Sequence, residues 1–203
     1  MPLDKPVTAD GGEPKVRPQH VGPTYVIDGS PMSVETIATL SLSARQLEFS
    51  HEIWEKIAKG RSIVDRVLTS GTPIYGTTTG IGSQKNVAVG ARELAEFSNR
   101  MIISEASNYP GPAYSDRDVR AALLVLLNNV ATGRTGIRPE LACQILHLYA
   151  STRLPIVRRD CSFGAGDLTP LSQLSLALIG RSLDGQSPIL PAAIHLAPKE
   201  SCS

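Results

Sequence analysis

The chain has 203 residues, of which 41% are hydrophobic, 19% are charged and 4% are aromatic, and its formal net charge is +1. This composition is typical of a globular protein of one or two domains. The balanced charge argues against nucleic acid or an anionic membrane as the main partner, because both need a basic surface.

Three cysteines without a Cys-x-x-Cys spacing argue against a disulfide framework and against a zinc site. No apolar run approaches the roughly 20 residues that a membrane span needs. The first twenty residues also lack the apolar core of a signal peptide. From these observations we expect a cytoplasmic protein with no metal and no membrane association.

The chain begins with a segment, residues 1–23, that is rich in proline, glycine and charge, and we expect it to be disordered. In residues 25–32 a short apolar run is followed by an Asp-Gly dipeptide, which predicts a small β-hairpin. Ser33 is predicted to cap a short helix that ends near Leu40.

Apolar residues then recur close to helical spacing in five segments, namely 43–69, 87–108, 115–131, 140–153 and 167–181. Gly60 is expected to bend or divide the first of these helices. The third is apolar nearly all round, which predicts burial in a bundle or an oligomer. Asn128 interrupts it and needs hydrogen-bond partners, either from structural pairing, which we favour, or from a ligand.

Three glycine-rich segments, 74–82, 132–139 and 161–167, separate the helices and are predicted to be loops. The first carries one tyrosine, Tyr75, and by itself is typical of a surface turn. The last runs directly into an apolar helix, whose positive N-terminal end favours anionic or electrophilic chemistry. The predicted fold is therefore mainly α, with glycine-rich loops and little β.

In this order, the segments 75–82, 127–141 and 162–180 resemble the N-terminal part of the aromatic amino-acid lyase family. That family contains histidine, phenylalanine and tyrosine ammonia-lyases and related aminomutases. The motifs Tyr-Gly-x-x-Thr-Gly-x-Gly, Gly-x-Arg-Pro-Glu-Leu and Gly-Asp-Leu-x-Pro-Leu are specific as a set, and the resemblance is nearest to histidine ammonia-lyases. It implies a partial ammonia-lyase-like helical domain over 24–185, with an irregular tail over 186–203 at a possible truncation point.

The resemblance also implies a prosthetic group. In the family an internal Ala-Ser-Gly cyclises into a methylidene-imidazolone, an electrophile that attacks the substrate. This sequence reads Gly164-Ala165-Gly166-Asp167, so Ala165 and Gly166 remain from the tripeptide but the serine is absent. Without the serine Cβ there is no exocyclic methylene, and we expect that the group does not form here. Gly164 and Asp167 are then expected only to support the loop and the helix start.

Three further residues take roles from the resemblance. Tyr75 matches the loop tyrosine that acts as a general base toward the substrate's β-proton. Ser104 and Glu105 fall where the family has its substrate-selectivity pair, which is Ser-His in histidine ammonia-lyases. A carboxylate at Glu105 would favour a cationic or N–H-donating substrate side chain over a phenyl ring. Alternatively, Glu105 is a solvated helix residue, and the sequence leaves both interpretations open.

The functional hypothesis is an ammonia-lyase or aminomutase acting on an aromatic or imidazole α-amino acid, impaired because the serine and the family's C-terminal half are absent. The resemblance implies an amino-acid substrate, no nucleotide, and either a homotetramer or association with a full-length homologue. One alternative is a non-catalytic degenerate homologue or subunit that binds a full-length relative. Another is a truncated product without a retained role.

Overall fold

The structure, a computed structural model, describes residues 23–90, 92–107, 110–161 and 168–183. The disordered segment predicted for residues 1–23 and the tail predicted for 186–203 lie outside these ranges, apart from residue 23. In chain order the elements are β1 (Tyr25–Ile27), α1 (Val34–Leu40), β2 (Leu47–Phe49), α2 (His51–Ser70), α3 (Leu94–Glu105), α4 (Asp116–Ala131), α5 (Pro139–Ala150) and α6 (Leu168–Leu178). The mainly α prediction is confirmed.

The two strands pair in parallel, with Ile27 opposite Phe49. The β-hairpin predicted for residues 25–32 is therefore wrong. The Asp28 carboxylate does accept the backbone N–H of Ser30 at 2.9 Å, as in an Asx turn. That turn leads the chain into α1 instead of back along β1. The connection is long enough for the crossover of about a dozen residues that parallel pairing needs.

The first two helices differ in how well the sequence predicts them. The cap at Ser33 is confirmed, since its Oγ accepts the N–H of Thr36 at 3.1 Å and α1 ends at Leu40. The helix predicted from residue 43 begins only at His51. Residues 47–49 alternate buried, exposed and buried, the pattern of a strand, and pairing with β1 overrides their helical spacing.

Gly60 does not divide α2, which runs unbroken from His51 to Ser70. A Cβ at Gly60 would lie 1.9 Å from the carbonyl oxygen of Gly133, in the turn between α4 and α5. Gly133 itself has a φ of 71°, a conformation that glycine adopts without strain. The two glycines thus allow α2 to approach this turn more closely than any side chain would permit.

The helix predicted over 87–108 is shorter than expected, because α3 begins only at Leu94. Before it, the N–H of Gly80 donates to the carbonyl of Val87 at 2.9 Å, and the N–H of Val89 donates to that of Thr78 at 2.9 Å. Residues 87–89 therefore close the preceding loop as an antiparallel bridge. This bridge uses backbone groups that a helix would need.

The centre of the core is formed by α4 and α5. Leu123, Leu124, Leu127 and Val130 of α4 are fully buried, as predicted, although Val125 on the opposite face is 54% exposed. Helix α4 starts with a capping box, in which the backbone N–H of Asp118 donates to the Ser115 Oγ at 3.3 Å and the backbone N–H of Ser115 donates to the Asp118 carboxylate at 3.2 Å. The hydroxyl of Ser115 also donates to this carboxylate, and the two hydrogen bonds that the carboxylate accepts hold the pKa of Asp118 below its usual range.

Helix α5 begins at Pro139, at the first helical position, and ends at Ala150, three residues before the predicted end. Cys143 on this helix is disulfide-bonded, which the number and spacing of the cysteines did not predict. None of the helices in the described ranges combines the length and apolar character that crossing a bilayer requires.

Candidate functional site

Tyr75 lies in a loop that closes on itself. Its phenolic oxygen accepts the backbone N–H of Gly82 at 3.1 Å, while the side chain is 64% exposed. Gly76 and Gly82 have φ values of 68° and 58°, in the left-handed region that favours glycine. The loop predicted here is thus confirmed, and two of its glycines are required by its turns.

Ser104 and Glu105 form the end of α3. The hydroxyl of Ser104 donates to the carbonyl of Met101 at 3.0 Å, one turn earlier in the same helix. The carbonyl of Glu105 accepts the N–H of Ser107 at 2.9 Å, and the Glu105 side chain is partly buried. A carboxylate at a helix C-terminus opposes the helix dipole, so helix stability alone does not favour this residue.

No hydrogen bond within the described ranges joins Tyr75 to the Ser104–Glu105 pair. Within the described ranges the hydroxyls of Tyr75 and Ser104 each bond inside their own segment. The tripeptide remnant, Ala165 and Gly166, and the supporting Gly164 and Asp167 lie outside the described residues. The structure therefore describes the chain up to Cys161 and again from Leu168, on either side of residues 162–167.

A network around Gln173 of α6 connects residues 158–161 to the end of α3. The Gln173 side chain is 1% exposed. Its Oε1 accepts the backbone N–H of Arg158 at 2.7 Å, and its Nε2 donates to the carbonyl of Ser107 at 2.6 Å and to the Sγ of Cys161 at 3.3 Å. The thiol of Cys161 in turn donates to the carbonyl of Arg158 at 3.1 Å.

The segment before residue 162 is also held on its other side. The N–H of Tyr114 donates to the carbonyl of Val157 at 2.8 Å, and the N–H of Arg159 donates to that of Pro112 at 2.9 Å. The guanidinium of Arg158 donates to the carbonyl of Gly111 at 2.8 Å. Ala113 and Arg158 thus form an isolated antiparallel bridge.

The structural pairing expected of Asn128 is not found for its side-chain oxygen. Its Oδ1 is buried and accepts no hydrogen bond from the described residues, although the residue as a whole is partly buried. Among the same residues, no group of three or more His, Cys, Asp and Glu side chains is arranged to hold a metal ion.

The residues present do not fit the family's prosthetic group. Ala165 is followed directly by Gly166, so no serine supplies the carbon that becomes the methylene. Ser162 does not replace it, because Phe163 stands where the cyclising glycine must be. A residue with a Cβ at that position prevents the tight backbone closure.

Comparison with known proteins decides the family. A model of the family described as aromatic amino acid lyase matches residues 32–199. This chain belongs to that family. The matched range includes the Tyr75 loop, the end of α3, the Gln173 network and the Gly164–Asp167 segment.

Curated relatives support the same assignment. A histidine ammonia-lyase of Deinococcus radiodurans is 33% identical over 168 residues, covering 82% of this chain and 32% of the relative. A histidine ammonia-lyase of Bacillus velezensis is 34% identical over 157 residues, covering 76% of this chain and 30% of the relative. This aromatic amino acid lyase homologue thus spans about a third of the length of the curated relatives it matches.

Solved structures show the same fold. Ergothionase of Treponema denticola, an ergothioneine-degrading enzyme, has a TM-score of 0.74 and 30% identity, covering 79% of this chain and 32% of that chain. Tyrosine aminomutase of Streptomyces globisporus has a TM-score of 0.69 and 25% identity, covering 81% of this chain and 31% of that chain. The lyase homologue therefore has the helical fold of part of these larger proteins.

Sequence reasoning did not single out Gln173 or its connection to Ser107. The signal was a polar residue among the leucines of 168–178, at a position where helical spacing predicts burial. A buried amide must find partners, but the sequence cannot say which segments supply them.

Proposed function

We propose that this chain is an ammonia-lyase or aminomutase homologue that recognises an aromatic or imidazole α-amino acid and is impaired in turnover. The family match over residues 32–199 carries this proposal. The relatives named histidine ammonia-lyase support lyase chemistry, and the neighbour named tyrosine aminomutase supports the amino-group shift as the second possibility.

The impairment is inferred from the chemistry of the loop. Elimination in the family depends on an electrophile that takes up the substrate, and the methylidene-imidazolone needs a serine Cβ. Gly164-Ala165-Gly166-Asp167 contains none. A general base at Tyr75 does not replace that electrophile, because removing a proton supplies no acceptor for the electrons of the breaking C–N bond.

The recognition part of the proposal rests on Tyr75 and on the end of α3. The side chain of Tyr75 is open to solvent in a loop fixed by Gly82, where it can reach an incoming molecule. The carboxylate of Glu105, a partly buried residue, would pair with a substrate N–H or cationic group, which favours an imidazole over a phenyl side chain. Ser104 would lie beside it as a hydroxyl partner.

Purified protein incubated with L-histidine, L-phenylalanine and L-tyrosine tests both parts. We expect calorimetric binding, strongest for L-histidine, with no release of ammonia or of an α,β-unsaturated acid and no formation of a β-amino acid. Glu105→Gln should reduce the preference for L-histidine over L-phenylalanine, while Glu93→Gln, an exposed site just before the same helix, should not. Release of an unsaturated acid would contradict the impairment, and absence of binding to all three would contradict the recognition.

The alternative is a non-catalytic subunit that binds a full-length relative. Exposed apolar side chains on α6, namely Leu168 and Leu171, favour it, because each is about half exposed. Size-exclusion chromatography with and without a full-length histidine ammonia-lyase distinguishes the two proposals. Co-elution would favour the subunit, a homotetramer would favour the family's own assembly, and a monomer in both runs would contradict both kinds of association.

We further propose a cytoplasmic location, on the basis of cysteine number and spacing. The disulfide-bonded state of Cys143 is the observation that opposes a reducing compartment. Counting reactive thiols in denatured protein that was purified without reductant tests this proposal. Three thiols are expected in a reduced protein, and one would support an oxidising compartment.

A further inference from the structure

We propose that Gln173 is a positioning residue, which fixes the end of α3 relative to residues 158–161, the described segment that precedes residue 162. The two segments are distant in sequence and meet at one buried amide group. The functional consequence rests on the proposed amino-acid recognition, whereas the structural coupling itself does not.

The surroundings of the amide determine its orientation. Its oxygen faces a donor, the N–H of Arg158, and its nitrogen faces an acceptor, the carbonyl of Ser107. Rotating the amide by half a turn would place oxygen against oxygen and N–H against N–H. Since Gln173 is 1% exposed, water does not compete for these partners, and each bond is worth more than at the surface.

Both backbone polar groups of Arg158 form hydrogen bonds within this network. Its N–H donates to Gln173, while its carbonyl accepts the thiol of Cys161, which itself accepts from Gln173 Nε2. Three groups thus form a closed ring of hydrogen bonds at the last described residues before residue 162. Movement of Gln173 would break its hydrogen bonds to Arg158 and to Cys161 together.

The other branch of the network reaches the candidate selectivity pair. Ser107, whose carbonyl accepts from Gln173, donates its own N–H to the carbonyl of Glu105. Gln173 is therefore linked to the backbone carbonyl of Glu105 through Ser107 alone. We infer that the backbone position of Glu105 relative to residues 158–161 depends on this link.

Three variants separate positioning from general stability. Gln173→Met keeps the length and apolar volume but removes every hydrogen bond. Gln173→Glu keeps an acceptor for the N–H of Arg158 and loses the donors to Ser107 and Cys161. Leu174→Ala, at the neighbouring buried position of α6, weakens packing and leaves the amide network intact.

Amide hydrogen exchange, followed by NMR, gives the readout that needs no ligand. We expect the Arg158 amide to lose at least about tenfold protection in Gln173→Met, since about 1.4 kcal/mol corresponds to tenfold. In Gln173→Glu the Arg158 amide should stay protected while the amides of 105–107 exchange faster. In Leu174→Ala any loss should be spread along α6. Equal protection of Arg158 in Gln173→Met and wild type would overturn the proposal, as would a uniform loss in all three variants.

Calorimetric binding of L-histidine gives the functional readout. We expect Gln173→Met to weaken binding about tenfold, and Leu174→Ala, compared at equal fraction folded, to bind as wild type does. Unchanged binding in Gln173→Met would overturn the functional role. If wild type binds no amino acid, the proposed recognition fails, and the exchange pattern alone then decides whether Gln173 couples the two segments.

If Gln173→Glu is too unstable to study, Gln173→His, which keeps one donor and one acceptor, takes its place. Partial recovery of Arg158 protection relative to Gln173→Met is the expected result. No recovery would contradict the assigned hydrogen bonds.

Discussion

The guanidinium of Arg120 donates to the backbone carbonyl of Tyr149 and lies 5.9 Å from the centroid of its ring. A second N–H donates to the carbonyl of Ser151 at 3.0 Å. Both acceptors are at the C-terminal end of α5, where carbonyls lack intrahelical partners and the helix dipole favours a cation. The buried Arg120 of α4 thus caps the neighbouring helix, and the hydroxyl of Tyr149 extends the link to the carbonyl of Leu40 at 2.7 Å.

Arg120→Leu should lower the free energy of unfolding by roughly 2–4 kcal/mol, because it leaves two largely buried carbonyls without their donor. The free energy of unfolding of Arg120→Lys should lie between those of Arg120→Leu and wild type, because an ammonium group can donate hydrogen bonds but lacks the planar fork of a guanidinium. Urea denaturation measures both. Arg117→Leu, at an exposed position on the same helix, is the control and should change stability by less than about 0.5 kcal/mol. Equal effects at both positions would contradict the capping role.

Gly60→Ala tests the close approach between α2 and the turn at Gly133. Helix propensity alone predicts a gain of about 1 kcal/mol for alanine over glycine. The contact of 1.9 Å predicts the opposite sign, a loss of about 1–3 kcal/mol from overpacking. Thermal unfolding decides between them. Gly90→Ala, at a position outside the helices where an added Cβ would lie 3.6 Å from Oε2 of Glu93, is the control and should be close to neutral.

His147 predicts how stability depends on pH. Burial lowers its pKa below the ordinary value of 6.5, so the unfolded chain binds a proton more readily than the folded one. Protonation of His147 should therefore lower the free energy of unfolding as the pH falls from about 6.5 toward the lower folded-state pKa. Above pH of about 6.5 the residue is neutral in both states, and this effect should vanish. In His147→Gln the slope of unfolding free energy against pH in this window should be smaller. An unchanged slope between pH 5 and 7 would contradict it.

The variant Asn128→Leu tests whether Asn128 has a structural role or binds a ligand. Replacing an amide whose oxygen is buried without a partner by an apolar group of similar size should be neutral or stabilise the fold by about 1 kcal/mol. Chemical denaturation measures this effect, and L-histidine binding is measured on the same sample. A loss of more than about 1 kcal/mol would show that the oxygen is satisfied in solution, whereas weakened binding at unchanged stability would assign it to the ligand.

The sequence predicted what local chemistry determines. The cap at Ser33, the glycine loop around Tyr75 and the proline start of α5 follow from one or a few neighbouring residues, and the structure confirms them. Residues 47–49 and 87–89 fit a helix by spacing, but each forms backbone bonds with a distant or returning segment. Spacing cannot reveal such partners, because several conformations have similar local energy.

The residues of the candidate site also fall into those that the sequence predicted and those that only the structure revealed. Tyr75, Ser104 and Glu105 came from motifs, and their roles stay predictions. Gln173 and its partners came only from the structure, since its contacts join segments that are up to 66 residues apart in sequence. A similar long-range contact explains Gly60, which local rules identify as a helix breaker and packing identifies as a point of close approach.

The mass of the peptide from Asp160 to Arg181, released by trypsin from the purified native protein, tests the central claim most directly. Cleavage after Arg159 and Arg181 isolates the segment Gly164-Ala165-Gly166-Asp167 in one fragment. We predict the mass of the unmodified sequence, with every residue intact and no water lost. A mass lower by one or more waters, localised by fragmentation to residues 164–167, would show that the backbone cyclises without the serine and would contradict the account.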